Sequence, residues 1–347
     1  MTILQVNPID DARWQQLITT RCSNLFHSPA WLRGIQQTYG MEPSALLMLD
    51  ADANPVAGLP YFHISDILGE RIIALPFSDY CDAIVESAEQ WEALTRCLLD
   101  RQIPMVLRCL HNDIPLQDSR FTLYNRAKWH GMDIRAEEDS LWSQLHSSAR
   151  RAVRKAEKNG ISIRVAETKA DLEAFFRMHL RIRKYKYRLL AQPYRFFENI
   201  WENCIATGKG VVILAMYRNM PIAGTMFLEW KDVLVYKFSV SDAEYLAHRP
   251  ADLIVWEAVR YAKQRNLTSI DFGLSDWDQE GLIRFKNKFA TEEKTLSFLM
   301  RPVHGLPTES QKMTKQMLHR LTSIFTDDTI PDDITNKAGE LLYQYFS

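Results

Sequence analysis

The chain has 347 residues, 46% hydrophobic and 24% charged, with a net charge of −1, the make-up of a globular protein of about two domains. No run approaches the roughly 18 apolar residues of a membrane span, and the N-terminal MTILQVNPIDDARWQQL lacks the basic-then-apolar pattern of a signal peptide, so a cytoplasmic protein is expected. Cys22, Cys81, Cys97, Cys109 and Cys204 are odd in number and scattered, and nine histidines are dispersed; free buried thiols, no metal and no tightly bound cofactor are expected.

In chain order, a helix is predicted around Pro29 to Tyr39. The hairpin ALLMLDADANPVAGLPYF follows, then a strand RIIALPF, a helix AEQWEALTRCLLD and strands PMVLRCL and FTLYNRA. After a basic helix, SARRAVRKAEKNGI, comes the strand ISIRVAET. Thr168 then caps a helix with Asp171 three residues on, and Leu172, Phe175, Phe176, His179 and Leu180 share one face. A further helix runs from Pro193 to about Thr207 and stops at Gly208. Three strands, VVILAMY, IAGTMFLEW and VLVYKFSV, lead to a helix from Pro250 to about Asn266, a strand SIDFG, a short helix GLIRFKNKF and a strand TLSFLM. The tail reads as two helices around the acidic turn TDDTIPDD, expected to pack back on the first domain.

One hairpin is written twice. Pro55-Val56-Ala57-Gly58 and Pro221-Ile222-Ala223-Gly224 each open a return strand after a polar turn containing Asn, which points to a duplicated unit. The expected domains are 1–139, 140–299 and the helical tail 300–347. Charge divides along the same line: 26 Lys and Arg against 18 Asp and Glu from Ser140 to Phe298, and 16 against 25 elsewhere. The second half is expected to meet an anion; mutual attraction of the two halves accounts for the split equally well.

The predicted order of strands and helices resembles the GNAT acyltransferases. Two such units in tandem, the first degenerate, resemble the FemAB-like family with its CelD/BcsL-type relatives. FHSPAWLRGI, LPFSDYCD, SARRAVRKAEKNGI, YKFSVSDAEYLAHRPADLIVWEAV, IDFG and GLIRFKNKFATEE carry the resemblance. It implies an α/β protein of tandem GNAT-like domains with mixed central sheets flanked by helices. It also implies transfer of an acyl group to an amine. Acyl-CoA is the expected co-substrate, because the long helical hairpin insertion of some tRNA-using relatives is absent. The acceptor is expected among sugars, lipids or peptides of the cell envelope. Charged tRNA as donor, in a FemAB-type peptidyltransferase, stands as the alternative. A binding-only scaffold of an envelope polysaccharide pathway is the alternative from another class. Peripheral contact with a membrane stays open, and no DNA partner is expected. One departure concerns the donor: AEYLAHRPADL has no glycine where a typical GNAT enzyme has a Gly-rich pyrophosphate loop, leaving the backbone amides of the helix N-terminus.

Acyl transfer needs a positioned donor and donors of hydrogen bonds to the tetrahedral oxyanion. The GNAT plan puts that backbone near Phe238 and Ser239, in a donor corner with Tyr236, Asp242, Arg249 and Asp252. Asp79, in LPFSDYCD, and Asp242, in SVSD, each follow a Phe-Ser step at a strand end and are the candidate bases; an Asx turn or a helix cap is the structural alternative. Lys286 falls where FemAB-like enzymes carry a Phe-Lys pair beside the reacting end, with Arg284 and Lys288 nearby; a solvated helix face is the alternative. Tyr80 and Asp82 are expected to meet the acceptor, together with Arg151 and Lys155 of ARRAVRKAEK and Arg183 of RIRKYKYR. Asp271 is expected to order the loop in which Gly273 supplies a turn.

Overall fold

The computed structural model describes residues 1–302 and 308–346. They form two compact units. The first comprises residues 1–127, 295–319 and the last few residues, and the second 128–294 and 320–343.

The elements of the first unit are β1 (Thr2–Val6), α1 (Ala12–Thr20), α2 (Pro29–Tyr39), β2 (Pro43–Leu49), β3 (Pro55–Asp66), β4 (Gly69–Ile73), α3 (Ala88–Leu99) and β5 (Met105–Cys109). β6 (Thr122–Asp133) leads into the second unit, which holds α4 (Glu138–Gln144), α5 (Ser147–Lys158), β7 (Ser162–Val165), α6 (Lys169–Arg181), α7 (Tyr194–Ile200), β8 (Gly210–Tyr217), β9 (Met220–Trp230), β10 (Val233–Ser241), α8 (Pro250–Gln264), β11 (Ser269–Asp276) and α9 (Glu280–Lys286). β12 (Glu292–Arg301), α10 (Glu309–Phe325) and α11 (Asp332–Leu342) complete the chain. The sequence reading found most of these; β1, α1 and α4 it did not.

The strands belong to one 12-stranded mixed sheet, in which two runs of six are built alike: β1-β2-β3-β4-β5-β12 and β7-β8-β9-β10-β11-β6. In each, hairpin-linked antiparallel strands end in one parallel pair, β4–β5 or β10–β11, and the crossover helix, α3 or α8, supplies that parallel connection. The last strand of the first run comes from far along the chain. β12, from beyond the second domain, pairs with β5 from Ser297 to Arg301, whereas β6 from Lys128 onward belongs to the second unit. The compact units thus part at 127/128 and 294/295, beside the expected boundaries of 139/140 and 299/300.

The repeated Pro-x-Ala-Gly has a packing reason. A Cβ on Gly58 would lie 2.7 Å from both Leu17 and Trp14 of α1, and one on Gly224 would lie 2.9 Å from Phe175 of α6. In both units the glycine lets a helix, α1 or α6, close on the return strand.

Thr168 and Asp171 form the capping box, each accepting from the other's backbone N–H. α5 and α8 pack together, burying Ala149, Ala152, Val153 and Ala156 against Leu253, Trp256 and Val259. The tail, expected from sequence to pack back on the first domain, is divided between the two units. Its second half, from Arg320, lies in the second unit, because Lys184 and Arg188 take up the acidic turn. Of the five free cysteines, Cys81, Cys109 and Cys204 are buried and Cys22 and Cys97 exposed.

Candidate active site

In the second unit β10 and β11 run side by side only briefly. Their parallel register covers Val233–Val235 against Ser269–Asp271, although β10 continues to Ser241 and β11 to Asp276. A bulge between Tyr236 and Phe238 shifts β10 by one residue against β9, and a bulge bends its strand. Beyond it, Asp242 N–H donates to the Ile222 carbonyl at 2.8 Å. Antiparallel pairs alternate between bonded and non-bonded. Phe238 and Val240 therefore use their amides on β9, and the N–H groups of Ser239 and Ser241 face the side from which β11 has departed.

The walls of this opening follow from local packing. Tyr236 is buried against Phe227 and Phe272, its hydroxyl beside those of Ser239 and Thr225, and desolvation pushes its pKa up to about 12. Thr225 Oγ1 also donates to Ser239 Oγ at 3.2 Å. Phe238 turns its ring to the helices, 5.1 Å from Phe197, 5.9 Å from His179 and 6.0 Å from Phe196. Burial, with Arg183 nearby, lowers the His179 pKa to about 3, so the ring is neutral; its Nε2 lies 2.9 Å from Gln192 Oε1.

On the β11 side, Gly273 has a φ of +66°, a backbone that suits glycine. Asp271 Oδ1 fixes the turn, accepting from Gly273 N–H at 2.7 Å and Trp129 Nε1 at 2.6 Å. Lys286 is not on a solvated face: it is 2% exposed and donates to the carbonyls of Gly273 at 3.1 Å and Leu274 at 2.6 Å. Those carbonyls belong to the stretch of β11 just past its parting from β10. His130 is wholly buried nearby. Burial, then the Lys286 charge, lowers its pKa, and its Nε2 is 3.2 Å from Glu293, which Lys128 also holds at 2.7 Å. Sequence reasoning passed over His130, Glu293 and Thr225. The one signal for Thr225 was its place next to the repeated glycine.

The other expected residues are dispersed. Asp242 caps the 3-10 turn Ala243–His248 through Glu244 N–H at 3.0 Å. Arg249 is exposed and left-handed, φ 65°, just before Pro250 at the first position of α8. Asp252, in the first turn, is 3% exposed and bound to Lys288 at 2.5 Å; burial raises its pKa and Lys288 opposes the rise. Arg284 is exposed, near Glu280. Arg183 donates to the Leu190 carbonyl at 3.0 Å. Arg151 and Lys155 stand on the exposed face of α5 with Arg154 and Lys158, Arg151 touching Ser147 at 3.1 Å.

Asp79, Tyr80 and Asp82 lie in the first unit, in a loop that shows why that unit differs. Phe62 pairs with Ile73 and Gly58 with Ile84; the equivalent pairs in the second unit are Leu228 with Val235 and Gly224 with Val240. The same four-residue step on the partner strand thus spans 11 residues in the first unit and 5 in the second. The extra length fills the gap beside β5, where Cys81 N–H donates to the Arg108 carbonyl at 2.8 Å. The opening present in the second unit is closed by the chain itself in the first. Leu75 and Phe77 adopt left-handed φ of 59° and 60° within this loop. Trp31 Nε1 donates to Ser78 Oγ at 2.8 Å, and Tyr80 packs edge-on against Phe26 and His111. Asp79 is half-buried. Asp82 Oδ1 accepts the amides of Leu110, His111 and Asn112 at 2.8, 2.9 and 3.1 Å. Its Oδ2 is buried without a hydrogen-bond partner, and desolvation raises the pKa to about 6 despite those amides.

The second unit thus has a sheet whose parallel pair parts at a bulge, with outward-facing amides on one strand and a crossover helix after it. Residues 143–287 match the family model of an acetyltransferase (GNAT) domain. No curated protein matches the chain. Among solved structures, FemX is similar with a TM-score of 0.65 at 13% identity, covering 86% of this chain and 97% of FemX. L-PGS from Bacillus licheniformis follows at 0.57 and 10%, covering 88% and 96%. A tandem GNAT protein from the clavulanic acid biosynthesis pathway stands at 0.55 and 9%, covering 88% and 99%. Over residues 143–287 the chain thus carries a domain that matches the GNAT acetyltransferase model, within a tandem fold like that of FemX. No described helix is long and apolar enough to cross a membrane, and no group of metal-ligating side chains occurs among the described residues.

Proposed function

We propose that the protein transfers an acyl group from acyl-CoA to an amine at the opening between β10 and β11. The observation that carries this reading is the parting of the two strands after Val235 and Asp271, which leaves the Ser239 amide to donate to the thioester oxygen. The amine nitrogen attacks the carbonyl carbon, the C–S bond breaks, and the oxyanion formed between is stabilised by that N–H. The amine proton passes to a carboxylate. Asp242, three residues beyond Ser239, is the candidate in the same unit, and Asp79 is the comparison. Tyr236, neutral at working pH and beside the Ser239 hydroxyl, suits donation of a proton to the leaving thiolate. Lys286 adds a fixed positive charge on the β11 side. The CoA phosphates would meet Arg249 and the first amides of α8, and the cations of α5, Arg151 and Lys155 among them, would meet an anionic part of the acceptor. The acceptor would be a cytoplasmic precursor of the cell envelope, a sugar, lipid or peptide with a free amine.

A second reading, aminoacyl-tRNA as donor, is favoured by one observation. The first turn of α8 holds a buried carboxylate, Asp252, neutralised by Lys288, instead of a glycine loop, so the pyrophosphate cradle is weaker than acyl-CoA chemistry ordinarily uses. Calorimetric titration with CoA, a set of acyl-CoAs and charged tRNA tests both. Heat with an acyl-CoA supports the first reading. Binding of charged tRNA with no response to any CoA species reverses the order, and binding of neither supports a scaffold.

A further inference from the structure

The run Ile182–Arg188, between α6 and α7, has no part in the chemistry above. α6 ends in one wide π turn, Ile182–Lys186, closed by Tyr187 N–H on the Ile182 carbonyl at 3.2 Å. Arg188 follows with a left-handed φ of 55°. Such turns and backbones persist where surrounding structure holds them. What holds this one is the C-terminal turn of the same unit. Lys184, fully buried, donates to the Ile330 carbonyl and to Asp332 Oδ1 at 2.9 Å. The Tyr185 hydroxyl donates to the same carboxylate oxygen at 2.8 Å. Arg188 donates to the Thr326 carbonyl at 3.0 Å and to both oxygens of Asp328 at 2.5 and 3.1 Å. On α11, Gly339 lies so close to Ala191 that a Cβ would fall 2.5 Å from its carbonyl oxygen.

The held segment joins two helices that wrap one ring. His179 of α6 and Phe196 and Phe197 of α7 all pack on Phe238, and Phe238 precedes Ser239 on the bulged strand. Tyr187, in the middle of the segment, is also an electrostatic neighbour of Tyr236.

We infer that the acidic C-terminal turn is a clasp on the α6–α7 segment, and that Asp328, Asp332, Lys184 and Arg188 are positioning residues which, through Phe238, set the Ser239 amide for acyl transfer. This deepens the proposed function and rests on it. Lys184 is buried and its replacement risks the fold. Arg188 and Asp328 are exposed, so their pair is screened by salt and can be broken with little effect on stability.

The experiment compares wild type, Asp328→Lys and Asp328→Glu by amide hydrogen exchange and by acyl-transfer kinetics. In Asp328→Lys, exchange over 182–193 and at Phe238–Ser241 should rise several-fold and kcat/KM should fall several-fold, with a melting temperature near wild type. Asp328→Glu should restore both. Faster exchange confined to 182–193, with Phe238–Ser241 and kcat/KM unchanged, overturns the inference, and so does wild-type exchange throughout. If wild type transfers no acyl group, the proposed function falls on its own, and exchange at Phe238–Ser241 still decides whether the clasp acts on that strand.

Discussion

In the proposed mechanism Ser239 acts through its backbone, which makes an unusual substitution informative. Ser239→Pro removes the N–H that faces away from β9, so the ladder to β9 keeps its bonds while the oxyanion loses its donor. Loss of one such donor lowers kcat by roughly 10²–10³; Ser239→Ala, which keeps the amide, should stay within a few-fold of wild type in the same assay. Lys286 behaves differently from a surface lysine. Its ammonium satisfies two buried carbonyls, so Lys286→Ala should lose stability by about 1–3 kcal/mol as well as turnover, read by chemical denaturation beside the kinetics. Asp82 gives a pH signature. Its folded pKa of about 6 lies above the ordinary 3.8, so the folded state holds a proton that the unfolded chain releases. The stabilisation is complete below about pH 4 and is lost as pH rises through 6. Asp82→Asn keeps a carbonyl for the three amides and should flatten that part of the stability–pH curve, measured by urea melts between pH 4 and 7.

At the scale of elements, the two copies of one hairpin explain what is shared and what is not. The shared glycine is a packing necessity: Gly224→Val drives a side chain into Phe175 and Leu214, and overpacking of this kind costs about 1–3 kcal/mol, to be checked by thermal unfolding. Gly58→Val should cost a similar amount against Trp14 and Leu17. The Pro-x-Ala-Gly echo was legible in the sequence because close helix–strand packing leaves a residue-type mark. The different length of the bulge was not. LPFSDYCD and YKFSVSD look alike as strings, and their Phe-Ser steps invite alignment, but Gly58 pairs with Ile84 and Gly224 with Val240. Asp79 and Asp242 are therefore not equivalent positions: Asp79 sits within the extra loop, and Asp242 caps a turn after the strand. Local sequence carries no information about which residue crosses from which.

For the whole molecule, the closed gap in the first unit and the open one in the second imply one donor per chain. Calorimetry with the donor that binds should give a stoichiometry near one; two sites per chain would contradict the closure by Cys81 and Arg108. The sequence by itself determined most elements and the repeated hairpin, because hydrophobic period, caps and turn residues act over a few neighbours; the tandem GNAT-like plan and acyl transfer followed from its resemblance to a family. That resemblance also named Ser239, Lys286 and the α8 corner as candidates. Only the tertiary structure decided the rest. It decided the burial of Lys286 against the turn of β11, the pairing of β12 with β5 across 188 to 196 positions, and the pairing of Asp252 with Lys288 and the hold of the acidic turn on Lys184 and Arg188, which join residues 36 to 148 positions apart. Whether a charge meets water, a carbonyl or an opposite charge depends on which distant strand or helix arrives beside it, and no local pattern specifies that arrival.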